Sequence, residues 1–248
     1  MELKGKVAIV TGGGTGLGRA ISLLLARHGV NLAVNYSRSE ADAVATAQEA
    51  AALGVRAIPV RADMAVQHDI YAMAETVERE FGRIDILIAN AATTVFVPMS
   101  DLDGVDPETW DRIMNVNVKG PWLCARAVAP AMRRAGGGRI VTISSIAGLN
   151  PAGSSMPYCV SKAALIHLTR CLAAALAPDV LVNSVAPGLL ETRWTAGHSE
   201  AARARFIQSA LLRRVATLED VADQVLTLVR TDSITGQTVV VDGGTVLR

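Results

Sequence analysis

Seven short runs rich in β-branched residues recur along the chain: KVAIV (6–10), NLAVN (31–35), RAIPV (56–60), IDILIA (84–89), RIVTIS (139–144), VLVNSV (180–185) and TVVV (238–241). Continuous apolar runs of this kind suit strands covered on both faces, as in a parallel sheet. Between them lie Ala- and Leu-rich segments with helical periodicity, at 17–28, 39–53, 66–81, 107–134, 158–177 and 218–229. Strand alternating with helix predicts βαβ units and an α/β fold: a doubly wound, mostly parallel seven-stranded sheet flanked by helices on both faces. No Pro/Gly/Ser-rich linker interrupts the pattern, so residues 1–248 read as one domain. The longest strand-free stretch, about 188–217, reads as an excursion above the sheet.

The rest of the composition narrows the function classes. The chain has 248 residues, 50% of them hydrophobic, which is ample material for one buried core. Only 19% are charged and the formal net charge is +1, so the basic field of a nucleic-acid surface is missing. The opening MELKGK runs straight into a strand-like stretch, and no apolar run reaches transmembrane length. Cys124, Cys159 and Cys171 are odd in number and lack metal-binding spacing. These features predict a soluble protein of a reducing, cytoplasmic compartment, with no metal, membrane or nucleic-acid partner.

The first strand ends in TGGGTGLGRAI, 11–21. The dinucleotide pattern G-x-G-x-x-G fails here: Gly12 and Gly14 would need a third glycine at Leu17. The spacing G-x-x-x-G-x-G fits, through Gly12, Gly16 and Gly18. Glycines there let the backbone turn sharply and approach a pyrophosphate, whose charge rests on the next helix N-terminus. A glycine-rich strand-to-helix turn with no ligand is the plainer alternative. About twenty residues on, the fingerprint expects an acid for the adenosine ribose. The second strand instead ends Tyr36-Ser37-Arg38, with no Asp or Glu between Gly12 and Ser39. Arg38 can pair with a 2′-phosphate that an acid would repel, so NADP is expected ahead of NAD.

One further pair is unusual. Tyr158 and Lys162 in YCVSK stand four apart, so a helix places the phenol and the ammonium on one face.

From about residue 138 the chain resembles the short-chain dehydrogenase/reductase family, and the resemblance extends almost end to end. Its marks are T-G-x-x-x-G-x-G at 11–18, Asn90-Ala91-Ala92 with alanine at the usual glycine, and Asn117-Val118-Lys119-Gly120. Y-x-x-x-K at 158–162, Pro187-Gly188 and VDGG at 241–244 complete the set. The resemblance implies a Rossmann-type oxidoreductase, similar to 3-oxoacyl-acyl-carrier-protein reductases. Such an enzyme moves a hydride between a nicotinamide and a ketone or secondary alcohol, and the family is most often homotetrameric. Tyr158 would be the acid/base. Lys162 would lower its pKa from the ordinary phenol value and hold the nicotinamide ribose. Ser145, with Ser144 as competitor, would bind the substrate oxygen alongside Tyr158. Asn117, with Asn115 the lesser match, would hold a water for proton relay. Cofactor contacts are implied for the turn (Gly12, Gly14, Thr15, Gly16, Leu17, Gly18), for Tyr36, Ser37 and Arg38, and for Asp63 and Met64 at the adenine. They are also implied for Asn90, Ala91, Pro187, Gly188, Leu190 and Thr192.

Thr93–Val97, Ile146–Met156 and Leu189–Arg214, with Trp194 and Phe206, are the expected substrate walls. The resemblance fixes no single substrate, and both a 3-oxoacyl thioester and a cyclic ketone fit it. Shortened loops in ALAPDVLVN (175–183) and TLVRTDSITGQ (227–237) depart from the family without touching the proposed chemistry. A cofactor-binding sensor or scaffold of the same fold is the alternative, and it should show a damaged Tyr-Lys-Ser set.

Overall fold

Seven parallel strands form one sheet in the order β3-β2-β1-β4-β5-β6-β7. In this computed structural model they are β1 (Val7–Val10), β2 (Asn31–Tyr36), β3 (Ala57–Arg61), β4 (Ile86–Ala89), β5 (Gly138–Ile143), β6 (Val180–Pro187) and β7 (Thr238–Val241). Residues 1–197 and 199–247 are described; Arg248 and His198, which lies within the expected excursion, are outside them.

The sheet is filled from both sides because neighbouring strand residues point to opposite faces. Ala8, Val10, Ile86 and Ile88 enter one apolar layer, while Val7, Ile9 and Leu87 enter the other. The first layer is closed by α1 (Gly16–Arg27), α2 (Glu40–Ala52) and α8 (Leu218–Arg230), and the second by α3 (Gln67–Phe81) and α5 (Gly120–Arg134). The central strands are buried throughout, as their unbroken apolar runs require. The edges β3 and β7 are only part-buried, and Pro59 is tolerated in β3 because an edge strand has a free side.

Three features differ from the sequence expectation. The predicted helix 107–134 is α4 (Pro107–Met114) and α5 joined by a π-helical turn at Asn115–Lys119. The excursion contains a helix, α7 (Glu200–Ser209), with no buried residue; lacking an apolar face, it leaves no periodic trace in the sequence. Helix α6 (Met156–Leu176) is long and apolar enough to cross a membrane by length and composition. Its Leu165, Ile166, Leu172 and Ala173 are buried in the protein, so that apolarity belongs to core packing.

Strand order reverses direction of growth at β1, with β2 on one side and β4 on the other. In an open α/β sheet, that switch point at the carboxyl ends of the strands is where a crevice forms. A cleft of about 1430 Å³ opens there.

Candidate active site

The turn after β1 is braced by two asparagines. Gly12 N–H donates to Asn35 Oδ1 (3.1 Å), and Asn35 Nδ2 reaches Val60 O and Ala62 O at the end of β3. Asn90 Nδ2 donates to Thr11 O, and Thr11 Oγ1 accepts from Asn90 N and Ala91 N, all at 2.9 Å. Gly12 and Gly16 have φ of +62° and +49°, the left-handed region that favours glycine. A Cβ on Gly18 would stand 2.1 Å from Gly12 O. Helix α1 then begins behind Thr15, with no side-chain cap and no acid in its first turn. Its first N–H groups therefore face the cleft uncompensated, as an anion site requires. Gly14 serves packing as well, since a Cβ there would come within 2.7 Å of Ala43 N on α2.

Tyr36, Ser37 and Arg38 line the far end of the cleft with Asp63 and Met64. Burial and the Glu40 carboxylate, which accepts a hydrogen bond from Tyr36, push this phenol up. The chain thus brings an acid close to the position where the sequence before Ser39 has none, and Tyr36 satisfies it. Asp63 Oδ1 accepts from Ala65 N (2.9 Å) and Oδ2 from Arg112 Nη2 (2.9 Å). Burial raises this carboxyl, but those two donors and the nearby Arg38 outweigh it and hold it below its ordinary value.

At the other end, β5 and α6 set the reactive groups. Ser144 Oγ donates to Val185 O (3.1 Å) and is held by Ser184 (2.8 Å), so it is buried inside the sheet. Ser145 lines the cleft with Tyr158, accepts from Ala147 N (3.1 Å), and its hydroxyl opposes the rise of the Tyr158 phenol. Both serines line the cleft, but the Ser144 hydroxyl is already engaged by Val185 O and Ser184. Lys162 is 2% exposed; its Nζ donates to Ile143 O (2.8 Å) and lies 5.5 Å from the Tyr158 ring centroid. Trp194, from the excursion, meets Tyr158 edge-on with ring centroids 6.5 Å apart.

The protonation pattern differs from the sequence expectation. Burial pushes Tyr158 up to about 12, against the opposing hydrogen bond from Ser145, and burial pulls Lys162 down to about 7. The ammonium therefore does not lower the phenol here: desolvation penalises the charged form of each, and both are driven toward neutrality. One consequence is measurable without substrate. Between pH 7 and 10 the unfolded chain keeps a proton on Lys162 that the folded chain has lost. Stability should therefore rise with pH across that window, by up to about 1.4 kcal/mol per unit. Above pH 10 the raised Tyr158 works the other way. Thermal melts of Lys162→Met should lack this rise, and parallel melting curves for the two proteins would contradict the burial.

Asn117 is the one predicted catalytic or cofactor-contacting residue that does not line the cleft. Placed by the π-helical turn, it is fully buried behind the wall. Its Oδ1 accepts from Thr93 N (2.8 Å), and its Nδ2 donates to Thr93 O (3.0 Å) and Ser161 Oγ (3.0 Å). Through that amide, Asn117 clips the β4–α4 loop to α6. The remaining predicted positions, from Gly12 through Thr192, all line the cleft. The predicted walls line it only in part: among their residues that do not are Gly148–Pro151, Ser155, Met156 and Ile207–Arg214.

Known proteins share this chain and this geometry. The short chain dehydrogenase family profile matches residues 6–203. The chain belongs to the short-chain dehydrogenase family. A Streptomyces violaceoruber protein carrying the name of a granaticin polyketide synthase ketoacyl reductase is 43% identical over 240 residues, 96% of this chain and 95% of its own. A 3-oxoacyl-acyl-carrier-protein reductase of Staphylococcus epidermidis is 34% identical over 242 residues, 96% and 98% of the two chains. The structure of a Burkholderia cenocepacia short-chain dehydrogenase in complex with NADP superposes with a TM-score of 0.90 at 33% identity, covering 99% of each chain.

This short-chain dehydrogenase is thus an NAD(P)-dependent oxidoreductase acting on a ketone or secondary alcohol. Its residues fit the dinucleotide: the cradle needs glycine at 18, and the α1 N-terminus offers unpaired donors. The intact Tyr158, Lys162 and Ser145 disfavour a sensor or scaffold. Among the cleft residues, Arg112 was not singled out in the sequence, and Arg193 was included only as part of the wall Leu189–Arg214. Each is recognised only through a distant ion pair, with Asp63 (2.9 Å) and Asp42 (2.8 Å) respectively.

Proposed function

We propose that this enzyme reduces ketones with NADPH, with Tyr158 as the proton donor. The observation that carries this reading is the half-buried Tyr158 phenol, with Lys162 Nζ 5.5 Å from its ring and Ser145 beside it in the cleft wall, pushed up to about 12 by desolvation. Such a phenol is protonated at neutral pH, the state needed to protonate a developing alkoxide. When bound, the nicotinamide supplies or accepts the hydride at its C4. Ser145 and Tyr158 hold the substrate oxygen between two hydroxyls and stabilise charge that develops on it. Lys162 holds the nicotinamide ribose and moves a proton toward Tyr158, while Asn117 positions α6 and the Thr93 loop. Alcohol oxidation first needs the phenolate, so it should speed up as pH rises.

Arg38 is the basis for NADPH. It is exposed and lines the cleft beside Ser37, and Tyr36 keeps Glu40 occupied. A charge-assisted contact is worth about 1.5–3 kcal/mol, and exposure puts Arg38 at the lower end. NADPH is therefore expected to bind at least about tenfold more tightly than NADH, and Arg38→Ala to erase most of that gap. Fluorescence titration of both cofactors decides it: equal affinities, or tighter NADH, would overturn the preference.

A cytoplasmic homotetramer is the proposed working form. Trp122 on α5, stacked under Arg126 (5.6 Å), and Met156 and Val160 on α6 are large side chains left exposed on adjacent helices. Copies of this chain would cover them. A monomer in light scattering at micromolar concentration would contradict this.

A further inference from the structure

The cleft has two chemically different ends. Five of its lining residues are charged: Arg38, Asp63, Arg112, Lys162 and Arg193. The first three surround the far end, beyond the glycine turn, and Lys162 is buried behind Tyr158 with its Nζ on Ile143 O. Arg193, the remaining charge, is committed to Asp42 at 2.8 Å. Among the described lining residues, no cation on the Tyr158 side is left to meet a substrate carboxylate or phosphate.

The wall on that side is aromatic and aliphatic. Trp194 crosses the Tyr158 ring at 72° and remains 47% exposed, so its indole presents a free face next to the proton donor. Phe96 and Phe206 line the same mouth from two other segments, with Val97 and Ile146 between them. The polar groups near the reaction centre are hydroxyls: Ser145, and the mutually bonded Thr94 and Ser154 at 2.5 Å. Hydroxyls orient a neutral carbonyl; they do not neutralise an anion. An unpaired carboxylate moved into this setting would lose its hydration without compensation. A flat apolar body would gain aromatic contact and burial.

From this wall we infer that the enzyme is specific for neutral ketones carrying an aryl or comparably flat apolar group, and that Trp194 is the residue that selects them. The inference rests on the ketone-reducing function proposed above and adds the substrate class and the selecting side chain.

The test uses three ketones with NADPH: methyl 4-acetylbenzoate, its free acid 4-acetylbenzoate, and butan-2-one. The parent should favour the methyl ester over the acid by about tenfold or more in kcat/KM, the cost of a carboxylate without a partner. Trp194→Ala should raise KM for the ester about tenfold, the scale of one lost aromatic contact with its burial, and change butan-2-one less than twofold. Trp194→Phe should restore most of the loss, which a general disturbance of the fold would not allow. NADPH affinity, read by fluorescence, should stay within twofold in both variants. If Trp194→Ala binds NADPH poorly, Trp194→Leu, which keeps bulk without the ring, takes over: its ester-to-butanone ratio should fall below the parent's, and an unchanged ratio there overturns the inference. Equal use of ester and acid, or an unchanged aryl-to-aliphatic ratio in Trp194→Ala, overturns this inference and leaves ketone reduction standing. A parent that binds NADPH but reduces none of the three overturns ketone reduction itself.

Discussion

Tyr158→Phe is expected to lower kcat by roughly a thousandfold while cofactor affinity stays within about twofold. Phenylalanine keeps the ring that packs edge-on against Trp194 and lies 5.5 Å from the Lys162 ammonium. Only the hydroxyl goes, the group that faces the cleft beside Ser145. Burial had kept that hydroxyl protonated, so its loss leaves the substrate oxygen without its proton source. Stability should change little, because the deleted polar atom faces the cleft. A separation of turnover from binding is therefore the signature, read as kcat by nicotinamide absorbance against the dissociation constant by fluorescence.

Lys162→Met is the second large effect, and it should look different. Turnover should fall by about a hundredfold or more, and cofactor affinity by about tenfold, because one ammonium serves both the phenol and the ribose. At pH 7 the variant should nonetheless melt at a higher temperature than the parent. Lys162 is 2% exposed and its one recorded hydrogen bond goes to Ile143 O, so the fold carries the cost of a buried ammonium that methionine lacks. Loss of function with gain of stability marks a group kept for chemistry. A variant that is both less active and less stable at pH 7 would point to a structural role instead.

The parts of this architecture that repeat locally were readable in the chain. Strands β1, β4, β5 and β6 announce themselves as unbroken apolar runs because both faces are covered. The glycines at 12, 16 and 18 are readable because a Cβ would collide or the backbone would strain. Other features depend on tertiary burial, which no local window contains. The phenol and the lysine stand where the four-residue spacing puts them, yet their protonation is governed by desolvation. The π-helical turn interrupts a helix that is periodic on both sides, and Asn117 within it pairs with the Thr93 loop. Helix α7 has no buried face to leave a pattern, and Arg112 meets Asp63 across a sequence separation of 49, which no local window spans.

The central claim is that Tyr158 protonates a ketone oxygen as hydride arrives at its carbon from the nicotinamide. It is tested most directly by incubating the enzyme with NADPH deuterated at the transferring C4 position and methyl 4-acetylbenzoate, then weighing the product by mass spectrometry. The parent should yield an alcohol with one deuterium at the carbinol carbon, and Tyr158→Phe, with cofactor bound, should yield almost none in the same time. Alcohol without deuterium, or labelled alcohol formed at equal rates by both proteins, would contradict the account.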